Sequence, residues 1–198
     1  MGKVTWGFTA SLDGFIAGPG HDMSWLEDLA AREHEAHSTE GAGLEDGVVE
    51  ALAGEVGAII SGRAGYDAAL AQRDQRGELT SEAYGGAFSG TEFILTHRPE
   101  ELAEDPAVVP LDCHVTEAVR RAREAAGAKD VQIISADIAR QALEHDLIDE
   151  MQVFVAPVFL GDGTRIFEVP GGRRVDWELV GAIPGAARSL GRVYRPRR

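Results

Sequence analysis

The chain has 198 residues, 44% of them hydrophobic and 26% charged, so one globular core and a single domain over residues 1–198 are expected. Its 33 Asp and Glu against 19 Lys and Arg leave a formal charge of −14, which repels a phosphate backbone and argues against nucleic acid or an anionic membrane surface as partner. Cys113 is the single cysteine, which excludes an intrachain disulfide and a cysteine-built zinc site; with no leader pattern in MGKVTWGFTASLDGF and no run near the roughly 18 apolar residues of a membrane span, a cytoplasmic location is expected.

In chain order, Val4 to Ala10 is the first β-branched, apolar run and reads as a strand. Asp13 and Gly14 follow it as a tight turn, in which Asp supports its own backbone and Gly takes positive φ. Ser24 opens a helical pattern, with Trp25, Leu26 and Leu29 at helix spacing and Glu27 placed to complete a capping box. Val48 to Val56 reads as a short helix. Gly57 to Ser61 reads as a strand that hands over to a helix at Gly62 and Arg63. The Gly-rich stretch Gly77 to Gly90 reads as a long surface loop, a candidate lid.

Glu92 to Thr96, Val131 to Ser135 and Met151 to Pro157 are the remaining internal strands. Between them, Thr116 caps a helix that runs to Ala126 and stops at Gly127, with Ala118, Val119 and Ala122 as its apolar stripe. A second helix, Asp137 to His145, places Ile138, Ala142 and Leu143 on one side. This alternation favours a mainly parallel sheet covered on both faces. The tail departs from it: Val175 to Ala182 and Ala187 to Arg195 alternate like antiparallel strands joined at Pro184 and Gly185.

Several residues stand where chemistry and plain structure compete. An Arg after a strand, at the amino end of a helix, strengthens an anion site that the helix amides already form; the plain reading of Gly62 and Arg63 is a surface Arg after a flexible Gly. Thr96, His97 and Arg98 end a strand at the edge where parallel sheets hold ligands, and a solvated loop before Pro99 is the alternative. Leu160 to Gly163 reads as an Asp-Gly turn after a buried strand. The histidines show no metal spacing, so no metal is assigned.

Four stretches, SLDGFIAG (Ser11 to Gly18), SGRAGYD (Ser61 to Asp67), ILTHRP (Ile94 to Pro99) and ARQALEHDLIDEMQVFVAPVFLGDGTRIF (Ala139 to Phe167), occur in an order that resembles the dihydrofolate reductase-like superfamily. The nearest resemblance is to small bacterial proteins similar to the reductase half of the bifunctional riboflavin-biosynthesis deaminase-reductase. It implies an α/β, three-layer fold with a mostly parallel mixed sheet, helices on both faces and a C-terminal antiparallel hairpin. It also implies an NADPH-dependent reductase acting on a small pteridine- or pyrimidine-like heterocycle, and a homodimer.

Carried over residue by residue, the resemblance puts Asp13, Asp22 and Trp25 beside nicotinamide and substrate. It assigns the cofactor to Gly62, Arg63, Thr96, His97, Arg98, Ser135, Ala136 and Gly161. Thr96 to Arg98 fall where the family contacts the adenosine 2′-phosphate. Two departures stand out. After Arg63 the family carries a basic residue and Thr, and this chain has Ala64 and Gly65. Between strand and helix the family carries two glycines, and this chain has Ser135 and Ala136, whose Cβ atoms would crowd a diphosphate. A diverged non-reductase on the same scaffold, a binding protein or an enzyme that does without NADPH, is therefore the alternative.

Overall fold

The computed structural model describes residues 2–26, 28, 47–76, 83–102, 105–184 and 191–197. Its strands are β1 (Val4–Ser11), β2 (Phe15–Ala17), β3 (Val56–Gly62), β4 (Thr91–Leu95), β5 (Val108–Leu111), β6 (Asp130–Ile133), β7 (Glu150–Ala156), β8 (Thr164–Arg165), β9 (Trp177–Ala182) and β10 (Arg192–Pro196). The α-helices are α1 (Val48–Glu55), α2 (Arg63–Arg76), α3 (Val115–Ala126) and α4 (Ala136–Glu144). The sheet is mixed and mostly parallel, and it finishes in an antiparallel hairpin, as the sequence pattern implies. The chain forms two compact units, Met1–Trp6 with Val49–Glu150 and Gly7–Val48 with Met151–Arg198.

The first unit carries the parallel part, in the order β5-β4-β3-β6-β1. Its central strands read as unbroken apolar runs because both faces are covered. Ala58, Ile59 and Ile60 are successive, so they point to alternate faces, and all three are fully buried. Val131, Gln132 and Ile133 of β6 repeat this.

Helix α3 buries Val115, Ala118, Val119, Ala122 and Ala126, a stripe at three- and four-residue steps. Its exposed face carries Glu117, which ties down Arg120 and Arg121. The capping residue is His114 and not Thr116, because the ring Nδ1 of His114 accepts the Thr116 amide at 3.4 Å. Gly127, at φ 64°, ends the helix and donates its N–H to the Arg123 carbonyl at 3.1 Å.

The connections fix where a ligand can sit. From β3 the chain passes through α2 to β4 and on to β5, then α3 carries it back to β6 on the other side of β3. From β6, α4 leads away again, to Asp149 and Glu150 beside Lys3 and Val4 at the start of β1. Crossovers of one hand that run in opposite directions put their helices on opposite faces and leave a crevice between the strands where the direction reverses. That reversal lies between the carboxyl ends of β3 and β6.

In the second unit, β10 pairs antiparallel with β7 (Val193 opposite Gln152) and with β9, where a bulge falls between Val193 and Tyr194. The ribbon β2–β8 is also antiparallel. Gly163, at φ 133°, lies so close to this ribbon that a Cβ there would stand 2.0 Å from the Ala17 carbonyl oxygen.

The short elements β2, β5 and β8 leave little pattern, and the sequence reading passes over them. The expected loop from Gly77 to Gly90 is described only from residue 83, where a 3-10 turn spans Ala83–Gly86 and Tyr84 donates its hydroxyl to Gln132 of β6 at 2.7 Å. The expected hairpin turn at Gly185 and the capping role of Glu27 lie outside the described residues.

Gly57 in β3 shows how tightly α3 lies on the sheet, since a Cβ there would sit 2.7 Å from both Cα and the carbonyl oxygen of Ala126. The nearest atoms are Ala126 backbone and the Lys129 Cβ, none of them the far end of a flexible side chain that could yield. Gly57→Ala is expected to lower stability by about 1–3 kcal/mol, read from urea unfolding midpoints, and an unchanged midpoint would contradict this packing.

Candidate functional site

One close approach, at Gly62, and two helix amino ends meet at the β3/β6 reversal. Ile60 is registered with Ile133, and the Ile134 amide donates to the Ile60 carbonyl at 3.1 Å, so the strands leave the sheet side by side. A Cβ on Gly62 would stand 3.2 Å from the Ser135 hydroxyl oxygen. Helix α2 begins at Arg63 and α4 at Ala136, so each strand end feeds directly into a helix amino end, where the first-turn amides have no partner within the helix.

Ser135 ends up as the N-cap of α4, not as the last strand residue. Its Oγ accepts the Ile138 amide at a long 3.5 Å. Ala136 is half-buried beside it, and the next residue, Asp137, turns its carboxylate back to Arg140 at 2.7 Å and Gln141 at 2.8 Å. That acid is thus paired within its own helix.

The residues after β4 lie on the next strand over. Gly62 is registered with Leu95, which places Thr96 beside the β3 end. The Thr96 amide donates to the Leu111 carbonyl at 2.9 Å, and its hydroxyl accepts the Arg98 amide at 3.1 Å. His97 is fully exposed, with Nδ1 3.3 Å from Asp112. The strand-end positions 62, 96 and 135 therefore lie in one unit, at the ends of the neighbouring strands β3, β4 and β6.

The cations at this edge are already answered by acids. Arg63 donates from Nε to Asp67 at 2.6 Å, and its Nη1 lies 2.8 Å from Glu101 Oε2. That second contact is close but off the hydrogen-bond angle, and Nη1 is buried without a well-aligned acceptor. Arg98 reaches the other oxygen of Glu101 at 3.0 Å. The sequence reading missed these acids. Asp67 and Glu101 stand at helical spacing from Arg63 and Arg98, a legible signal; Asp112 is brought in only by the β4–β5 pairing.

The second unit joins two predicted residues that the resemblance gives separate roles. Asp13 Oδ1 accepts the Ser11 hydroxyl at 2.5 Å and the Leu160 amide at 3.2 Å, and Oδ2 accepts the Gly161 amide at 2.7 Å. Gly14 takes φ 84° in the turn, and Gly161 φ 77° opposite it. The carboxylate is a clamp between two turns. Chiefly the Ser11 hydroxyl, with the Gly161 and Leu160 amides, brings the Asp13 carboxyl down to about 2, against a desolvation that opposes them more than either amide alone helps.

Asp22 is used in the same way. Its carboxylate accepts the amide and the hydroxyl of Ser24, both at 3.0 Å, and these bonds hold it below the usual carboxylate range. Trp25 is buried, and among the described residues its indole N–H has no acceptor. Among the described residues no three His, Cys, Asp or Glu gather to hold a metal ion, and no helix is long and apolar enough to cross a membrane.

Because Asp13 is more acidic folded than its ordinary 3.8, its clamp stabilises the fold above about pH 4 and loses that contribution as pH falls through about 2. Asp13→Asn is expected to lower the melting temperature at pH 7 and to flatten the acid limb of stability between about pH 4 and 2. Melting curves across that range check it, and a variant with the same acid limb as the parent chain contradicts it.

Solved structures share this architecture along its full length. A riboflavin-biosynthesis-type protein of Shewanella sp. PV-4 superposes with a TM-score of 0.71 at 19% identity, covering 99% of each chain. A diaminohydroxyphosphoribosylaminopyrimidine deaminase/5-amino-6-(5-phosphoribosylamino)uracil reductase of Thermotoga maritima gives 0.57 at 15% identity over 99% of this chain, which spans 57% of that protein. Dihydrofolate reductase of Enterococcus faecalis, complexed with NADP(H), gives 0.54 at 15% identity over 99% of this chain and 97% of its own. No curated protein sequence matches the chain. The fold is thus dihydrofolate reductase-like, and with the RibD C-terminal domain model matching residues 2–186, the chain belongs to the RibD C-terminal domain family.

Proposed function

We propose that this chain is a reductase that takes hydride from NADPH and passes it to a small heterocycle of pteridine or pyrimidine type. Family membership supports the reaction class, and the uracil reductase activity named for the Thermotoga relative and the NADP(H) bound to the Enterococcus enzyme support substrate class and cofactor. The observation that carries the reading is the pairing of Gly62 with Ser135 at the reversal of the sheet, each followed by a helix amino end.

These residues fit a dinucleotide's diphosphate. Helix amides and the Ser135 hydroxyl would donate to phosphate oxygens, and glycine at 62 leaves room beside Ser135 that a Cβ would fill. NADPH, when bound, supplies the hydride. The protein then orients the reactants and excludes water. Asp13 and Asp22 stay ionised at neutral pH, so neither would supply the accompanying proton.

A second reading, a binding protein that has given up the dinucleotide, is favoured by one observation: Ser135 and Ala136 carry Cβ atoms where the family has glycines. Titration of the purified chain with NADPH, followed by tryptophan fluorescence, separates the two. Saturable binding below about 1 mM is expected, and its absence at millimolar cofactor removes the reductase reading in favour of the second. The double change Ser135→Gly and Ala136→Gly removes the crowding and costs only a few tenths of a kcal/mol of capping. It is expected to tighten NADPH by up to about tenfold; unaltered affinity would show that the two side chains do not obstruct the diphosphate.

A further inference from the structure

Arg63 and Arg98 come from the carboxyl ends of neighbouring parallel strands, and both point at one carboxylate. Glu101 Oε2 stands 2.8 Å from Arg63 Nη1, and Oε1 stands 3.0 Å from Arg98 Nη1. Asp67 holds the remaining edge of Arg63, and Asp112 stands by His97. Two arginines thus face two carboxylates, in a chain whose formal charge is −14.

Two guanidinium groups converging at a strand edge are the arrangement that binds a phosphate monoester, a dianion with oxygens for both forks. NADPH differs from NADH by one such monoester. A ribose hydroxyl makes no demand on arginine and is well served by a carboxylate acceptor. We infer that Glu101 is a specificity-determining residue: its carboxylate takes the place between Arg63 and Arg98 that the phosphate monoester of NADPH would occupy, so the site accepts NADH as readily as NADPH. This rests on the reductase reading above, and names which dinucleotides that site takes.

The two ion pairs differ in strength. The Arg98 side chain is 63% exposed and its pair with Glu101 gives way easily to a competing anion, whereas the Arg63 side chain is 23% exposed and gripped by two acids. A monoester arriving at this edge gains Arg98 but meets the charge of Glu101 and an Arg63 already engaged. Its advantage over a hydroxyl is cancelled, not reversed. The helix-end contacts to the diphosphate are common to both dinucleotides and do not discriminate.

The test compares dissociation constants of NADPH and NADH, by tryptophan fluorescence at fixed ionic strength, for the parent chain, Glu101→Gln and Glu101→Ala, with melting curves to establish folding. The parent chain is expected to bind the two within about threefold of each other, and Glu101→Gln to tighten NADPH about tenfold while moving NADH less than about twofold. Glu101→Ala is expected to shift the ratio the same way. A parent chain that prefers NADPH by more than about thirtyfold, or variants that leave the ratio unchanged while both dinucleotides bind, overturns the inference and spares the reductase reading. Binding of neither dinucleotide to any folded variant removes that reading, and the role of Glu101 with it.

Discussion

The return of the chain from β5 through α3 to the far side of β3 is the constraint on which the rest of the first unit depends. It makes β3 the pivot, flanked by β4 and β6 in parallel register and buried on both faces. Burial on both faces requires Ala58, Ile59 and Ile60 to be apolar in succession, and it requires Gly57 to be bare so that Ala126 of α3 can approach. With the pivot in place, the ends of β3 and β6 part toward opposite faces. Gly62 and Ser135 then stand at the mouth of the resulting crevice whatever their own chemistry. Ligand binding at this edge follows from topology; which ligand binds is decided by the side chains added there.

Those side chains are governed by the chain's acidity. Nearly every cation near the crevice has an acid at hand: Arg63 has Asp67 and Glu101, Arg98 has Glu101, and Arg140 has Asp137 and Glu144. The pairs on exposed helix faces contribute little to stability and keep the surface charge mixed. At the strand ends the same habit has a different effect, because a guanidinium that is already matched attracts a ligand phosphate less. In the second unit two acids serve the turns. Asp13 and Asp22 satisfy amides and hydroxyls of turns, and they do so as anions.

Much of this was legible in the residues, and the exceptions have physical causes. The central strands emerge because burial on both faces writes an unbroken apolar run, and α3 and α4 because burial on one face writes a helical period. The strand ends at 62, 96 and 135 come from the motif order. Strands β2, β5 and β8 span only a few residues, too short for a period to show, and depend on partners distant in sequence. The cap of α3 was misassigned to Thr116 because a histidine ring that accepts an amide does the work usually left to a hydroxyl. Asp13 could be read from sequence as turn or as chemistry; only the amides of Leu160 and Gly161, far along the chain, show that its oxygens are taken.

The central claim is that a dinucleotide's diphosphate lies across the ends of β3 and β6. Backbone amide NMR of the full chain during addition of NADPH tests it most directly. The account predicts that the amides of Gly62, Arg63, Ser135 and Ala136 shift together along one saturating curve, ahead of those on β9 and β10. Saturable binding that leaves these four unmoved, and shifts amides elsewhere, would contradict it.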